Sequence, residues 1–479
     1  MVLLEKIDSE RWRIPQHYIK GMRAPSILYA TKGMINRMKQ ANKGLESLIE
    51  LAFMPGIVKH VVGMPNLRNR YGFPTGAIVA VESKIGVAAP GGVGSGINSG
   101  VRLLQTDLNS ADIKERIPSL IHRLWNSVPA GVNQQGRYKL SKVDIESIFE
   151  NGARWAVENG MGREKDLEVT EERGCVDGAS AGSDPGLIAA ASQSLGALGS
   201  AGNFITFFSV KNIYDPAVAH LLSLTPDQIC AAVRADAGNV GFQICQNHLN
   251  RMQSDENSRV RLFKRELICA PIESESGARF LAGVAAAENF AWATRQIIIH
   301  RIRQALSQEL GSQTEPINMP QLFDVSENLP RIESYSLNRR AVSLAIYRKG
   351  CARAFPAGHL SLAAPYRSIG QPVLIRGGMS DDCYIVVGTD RAFNECFGSI
   401  PVESARKFSR FRAGDIVKNP KVSQDLEKAG VYVKFDSSRT LREESSNAFY
   451  PTGGIVNLLE RCGLIRKIAR LQPISIMKG

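Results

Sequence analysis

No stretch of this sequence stays apolar for long. The longest hydrophobic runs, residues 281–287 and 341–347, end far short of the roughly 20 residues that a bilayer span requires, so no membrane association is expected. The opening MVLLEKIDSERWRIPQHY carries early acids and no apolar core, which argues against a signal or transit peptide and for a cytoplasmic protein. Cysteine is sparse and scattered: eight residues between Cys175 and Cys462 form no CxxC pair. That excludes zinc-finger spacing and reads as reduced, mostly buried thiols. Internal repeats, heptads and low-complexity tracts are absent, which excludes solenoids and coiled coils.

What is present is ordinary globular material: 479 residues, 44% hydrophobic and 22% charged. Short β-branched runs at residues 76–81, 373–375 and 384–387 alternate with helical patterns over 113–127, 142–159 and 280–309. These predict a mixed α/β fold with a large mixed-sheet core. Loops are expected at 174–186 and 437–454, and no composition shift flanks either one, so the chain reads as one unit over 1–479. The net charge of +13 favours anionic partners, nucleic acid first. The final RCGLIRKIARLQPISIMKG contains no acid. Its Arg461, Arg466, Lys467 and Arg470 either line a phosphate-bearing groove or form a solvated basic helix face.

The glycine cluster PGGVGSGINSG (residues 90–100) demands positive φ angles or close approach of backbone to a ligand. No Gly-Lys-Ser/Thr follows, so it is not a Walker loop, and alone it suggests an anion-binding nest. Extended to PGGVGSGINSGVRLL (90–104), it resembles the signature of the RtcB-type RNA-splicing ligase family. Further matches follow in the family's order: MRAPSILYA (22–30), MPGIVKHVVGMPNLRNRYGFPTG (54–76), NFAWATRQ (289–296), FDVSENLPRIE (323–333), RKGCARAFPAGH (348–359), GQPVLIRGGM (370–379), FGS (397–399) and KIARLQPISIMKG (467–479). The resemblance covers essentially the whole chain and implies the family's single compact α/β fold.

It also implies a chemistry. The family joins an RNA 2′,3′-cyclic phosphate or 3′-phosphate to a 5′-hydroxyl, using GTP and manganese through a guanylylated histidine. Such a site needs Asp, Cys and His metal ligands and a histidine nucleophile. Carried over position by position, those residues are changed here. The metal-binding Asp falls at Gly96 and the metal-binding Cys at Ser99. The Gly-Asn-His segment falls on residues 201–203, so a ligand His becomes Asn203; a one-residue gap would pair Asn203 with the family's Asn, and no His follows either way. Two further ligand histidines become Arg234 and Glu327, and Val402 stands at the guanylylation position. None of the seven histidines falls at a metal-binding position; His60 and His359 lie in matched motifs and read as structural. In the nucleotide loop, Asp381 and Asp382 replace small neutral residues and would repel a triphosphate. Residues 186–191 are GLIAAA where the family has a basic RNA-holding stretch. Met379, Arg406, Phe449 and Lys478 still match positions around the guanylate. They either keep a residual anion or nucleotide pocket or now serve packing.

The resemblance therefore implies an RtcB-like protein without catalysis, with no cofactor expected, that binds RNA through a basic surface or associates with a protein partner, an active paralogue or a ribonucleoprotein assembly. The alternative is an active GTP- and manganese-dependent RNA ligase with a displaced metal site. One structural expectation follows directly: Arg234 and Glu327, at two positions that converge on a cation cluster in the family, should form an ion pair in the vacated space.

Overall fold

Runs of valine, isoleucine and alanine build two eight-stranded sheets in the computed structural model, which describes residues 2–41, 44–94, 96–131, 136, 138, 140–182, 184–200, 202–256, 259–260, 262–311 and 317–479. Ser95 of the glycine cluster and Ala201 lie outside the described residues. The first sheet runs in the order Glu5–Lys6, Arg11–Ile14, Ser26–Tyr29, Val61–Arg68, Thr75–Glu82, Arg340–Arg353 and Glu327–Leu337, with Ser399–Pro401 beside Arg340–Arg353. The second runs Gln321–Val325, Gly100–Asn109, Gln228–Ala235, Phe204–Ile213, Ile465–Lys478, Cys383–Gly388 and Pro372–Ile375, with Tyr432–Phe435 parallel to Ile465–Lys478. Both are mixed, since Ser26–Tyr29 also pairs in parallel with Val61–Arg68.

Side chains on a strand alternate between faces, and both faces are used here. Val62, Ile78 and Ile346 of the first sheet meet Leu103, Phe208 and Phe323 of the second in one shared core. Their neighbours Val61, Val79 and Tyr347 point outward onto the first half of a long helix, Glu275–Glu309. Leu104, Phe207 and Val233 on the outer face of the second sheet take its second half, through Ile298, Ile302 and Leu306. Strands buried on both faces read as continuous apolar runs, and a helix straddling two sheets is apolar almost all round. Ser274 caps that helix by accepting the Gly277 amide at 3.1 Å.

The helix carries one arginine that fixes the glycine loop. Arg295 is fully buried and grips Asp324 with two bonds, Nε to Oδ2 at 3.0 Å and Nη2 to Oδ1 at 2.9 Å. Arg102 holds the same carboxylate at 2.6 Å, and the two guanidiniums keep Asp324 below its usual pKa although burial alone would raise it. Arg295 Nη1 then donates to the carbonyls of Asn98 (2.8 Å) and Ala235 (2.9 Å). Gly100 permits this: a Cβ there would lie 2.5 Å from the Arg295 guanidinium carbon.

Three expectations need correction. The helix read over 142–159 is two, Lys142–Asn151 and Ala153–Glu158, broken at Gly152 (φ +56), whose Cβ would meet the Gly174 carbonyl at 2.2 Å. Residues 437–454 are not a loop but hold the helix Ser438–Glu443, capped by Ser437, and the start of Thr452–Arg461. Of the basic tail, only Arg461 lies on a helix, as the last residue of Thr452–Arg461. Ile465–Lys478 is a strand between Phe204–Ile213 and Cys383–Gly388, with Pro473 at a register shift, where a missing N–H is tolerated. Its cations are already paired: Arg466 with Asp215 (3.2 Å), Lys467 with Glu460 (2.8 Å) and Arg470 with Asp382 (3.4 Å), while Arg461 holds Glu10 (2.9 Å).

Candidate functional site

The glycine cluster and the segment beside Val402 open on the same cleft. Pro90, Gly91, Gly94, Gly96 and Ser99 line one cavity of about 650 Å³ together with Arg234, Glu327 and Glu403, the residue after Val402. The glycine loop supplies one wall: Pro90–Gly92 makes a short turn, and Gly94 (φ +70) and Asn98 (φ +50) bend it back towards the strand Gly100–Asn109. Arg234 reaches in from the end of Gln228–Ala235, and Glu327 from the first residue of Glu327–Leu337.

Gly96, Ser99, Asn203, Arg234 and Glu327, the positions that the resemblance pairs with metal ligands, meet here, joined by polar contacts among themselves and with Asp236. Glu327, 3% exposed, accepts Arg234 Nε at 2.9 Å, so the expected ion pair is present. The same oxygen accepts Arg376 Nη2 at 3.1 Å. Arg234 Nη1 donates to Asn203 Oδ1 at 3.1 Å, and Asn203 Nδ2 reaches Asp236 at 3.4 Å. Ser99 donates to the Gly96 carbonyl at 2.9 Å and lies 3.4 Å from Asp236. A Cβ on Gly96 would sit 2.8 Å from Ser99 Oγ and 3.4 Å from Asp236 Oδ2, so even the smallest residue there is closely packed. Burial works against a charged Arg234, but the carboxylates of Glu327, Asp236 and Glu403 outweigh it and raise its pKa.

The network continues through Glu403, which takes Arg68 at 2.6 Å and Arg376 at 3.5 Å. Burial would push this carboxyl up, yet Arg68, Arg376, Arg234 and Arg406 hold it at about 2. Val402 itself is buried, and its carbonyl accepts Arg376 at 3.1 Å. Among the described residues, no three His, Cys, Asp or Glu side chains gather as a metal site would need. His60 instead bonds the Glu395 carbonyl at 2.8 Å, and His359 stacks against Phe355 with ring centroids 4.0 Å apart.

Met379, Phe449 and Lys478 line a second space, and Arg406 lies 4.3 Å above the Phe449 ring, so these four are also neighbours. The space measures only about 40 Å³. Small-molecule sites run to roughly 300 Å³ or more. Glu444 lines it too, a residue that no sequence pattern singles out. One oxygen takes Arg406 (3.1 Å) and Arg410 (3.0 Å); the other takes Lys478 (2.9 Å). Burial would raise Glu444, but Lys478, Arg410 and Arg406 drive it well below the usual carboxylate range. Asp381 borders this space and burial raises its pKa, whereas Asp382 is tied to Arg470 at 3.4 Å and does not border it.

Sequence reasoning missed Asp236, Arg376 and Glu444. Asp236 stands two residues from Arg234, a position the resemblance had already singled out. Arg376 and Glu444 pair with partners 49 and 34 residues away, which no local pattern reveals.

The family model described as tRNA-splicing ligase RtcB matches residues 47–479. The tRNA-splicing ligase RtcB of Archaeoglobus fulgidus is 35% identical, over all of this chain and 99% of that protein. Those of Thermococcus kodakarensis (34%, all of this chain, 99% of that protein) and Methanococcus maripaludis (31%, 99% of each) are similar along their whole lengths. The chain belongs to the RtcB family.

Proposed function

We propose that this chain is a non-catalytic member of the RtcB family, a single unit over 1–479, which takes up neither manganese nor GTP and works in the cytoplasm by binding RNA or a protein or ribonucleoprotein partner. The observation that carries this reading is the Glu327 carboxylate shared by Arg234 and Arg376. A divalent cation placed about 4 Å from a guanidinium meets roughly 8 kcal/mol of repulsion at an effective dielectric constant of about 20. Gly96, Ser99 and Asn203 offer no anionic oxygen, and the carboxylates of Glu327 and Glu403 in the same cleft are each already shared by two arginines. Manganese therefore does not fit the donor set, and no step is derived through it.

The nucleotide and the nucleophile point the same way. Glu444 presents an internal carboxylate where a guanylate phosphate would need the same cations, and a Val402 side chain has no lone pair with which to form a phosphoramidate. The net charge of +13 supports an anionic partner. Incubation with labelled GTP and manganese should leave the protein unlabelled. A covalent guanylate on any residue would instead favour an active ligase with a displaced site. Binding to single-stranded and stem-loop RNA that weakens steeply with salt would support the RNA partner; salt-insensitive or absent binding points to a protein partner.

A further inference from the structure

The first sheet ends on a long strand that has a neighbour on one side only. Glu327–Leu337 is 11 residues long and, among the described residues, pairs with Arg340–Arg353 alone. The strands that end the two large sheets elsewhere are short: Glu5–Lys6, Gln321–Val325 and Pro372–Ile375. An exposed edge is a template for pairing with another chain, so proteins blunt theirs with lysine, proline, a bulge or a covering segment. From Ile332 onward this edge has none of those guards among the described residues. Residues 332–337 (IESYSL) hold no lysine or proline, and their register against Arg340–Arg353 runs without a shift. No backbone hydrogen bond from another element reaches them.

Pro330 sets which backbone groups lie open. It has no N–H, yet the register passes through it opposite Tyr347, so its nitrogen faces away from the ladder. Backbone direction repeats every second residue, which turns the N–H and C=O groups of Ile332, Ser334 and Ser336 to the empty side. The turn gives the same phase. Asn338 and Arg339 both have positive φ (+50 and +65), and the residues flanking such a two-residue turn, Leu337 and Arg340, bond each other.

Side chains beside the edge add specificity. Ile332 is 52% exposed on one face of the sheet, and on the other Tyr335 stacks at 4.8 Å on the half-buried Phe393. Arg339 and Arg340 stand exposed at the turn with no ion pair among the described residues. Glu333, the one acid in the stretch, already has both oxygens on Arg348, at 2.6 and 2.8 Å.

We infer that residues 332–337 dock an extended segment of a partner protein. The segment adds to the sheet as a further strand, lays apolar side chains on Ile332 and Phe393, and sets acidic residues against Arg339 and Arg340. A second copy of this chain does not suit the edge. Two such strands set antiparallel about Ser334 would bring Arg339 and Arg340 beside Leu329 and Asn328, which carry no charge. The inference gives a place to the protein partner of the reading above and does not depend on whether the cleft holds a metal.

The test is fluorescence anisotropy on the full chain with a labelled peptide, acetyl-Asp-Glu-Val-Thr-Ile-Thr-Val-amide, whose leading acids reach the turn when it lies antiparallel. Saturable one-to-one binding is expected. Two twins N-methylated at alternate amides, one in each phase, keep every side chain; one should bind much as the parent peptide does and the other should fail. Ser334→Pro removes an outward N–H and no ladder bond, so it should weaken the peptide at least tenfold at an unchanged thermal midpoint. Reversing both charges, Arg339→Glu with Arg340→Glu, should weaken it several-fold and favour a peptide that begins with two lysines. Parent-like binding by Ser334→Pro, or equal binding by the two twins, would overturn the inference. No saturable binding up to millimolar peptide would also overturn it, while leaving the metal-free reading intact. A dimer in sedimentation that Ser334→Pro dissolves would give the edge to a second copy and overturn the assignment to a partner protein.

Discussion

Replacing Glu327 by alanine removes the one carboxylate that two buried guanidiniums share. Arg234 would keep only its bond to Asn203 at 3.1 Å, having no second carboxylate in ion-pair range among the described residues. Arg376 would retain the Val402 carbonyl at 3.1 Å and Glu403 at 3.5 Å. One cation is thus stranded and the other weakened. Breaking a buried pair from one side costs about 3–5 kcal/mol, most of it the penalty of the charge left behind. Glu327→Gln keeps an acceptor and loses the charge, so about 1.5–3 kcal/mol is expected. Adding Arg234→Met to Glu327→Ala removes the stranded guanidinium and should recover part of the loss. Urea denaturation reads all three as midpoint shifts at constant slope. A Glu327→Ala protein as stable as its parent would refute the reasoning, as would a double variant less stable than the single one.

Glu403 sets an acid window: held at about 2 against an ordinary 4.5, it stabilises the fold above its ordinary value, and that contribution is lost as pH falls from about 5 towards 2. About 3 kcal/mol is at stake, and Glu403→Gln should flatten the stability profile across that window; an unchanged profile would count against the four-arginine environment. Glu444→Ala should leave Lys478, Arg406 and Arg410 without their carboxylate, lower the thermal midpoint, and make it respond to added phosphate more than the parent's does. Equal phosphate responses would show that Glu444 does not stand in for an anion. Gly72→Ala should destabilise by at least about 1–3 kcal/mol, because φ is +73 and the new Cβ would sit 2.2 Å from the Gly91 carbonyl; denaturation matching the parent would contradict that.

Much of the fold was legible because burial on both faces leaves continuous apolar runs, as in Thr75–Glu82 and Cys383–Gly388. The C-terminal strand was not. Its arginines and lysines occupy positions that in isolation suit a helix face, and Pro473 with its register shift interrupts the alternation. The helix break at Gly152 escaped because the cause is a distant backbone, the Gly174 carbonyl. The Arg234–Glu327 pair was legible only through family positions: an arginine and a glutamate 93 residues apart carry no signal by spacing alone. Glu444 was illegible for the same reason, so Met379, Arg406, Phe449 and Lys478 stayed open between a residual pocket and a packing role, with no sign of the carboxylate set among them.

The central claim, that fixed charges occupy the place of a divalent cation, is tested most directly by titrating the purified protein with manganese and following free Mn²⁺ by electron paramagnetic resonance. The signal should rise in step with added metal from the first aliquot, as in buffer. A lag corresponding to one or two tightly held ions per chain, abolished by excess EDTA, would contradict it.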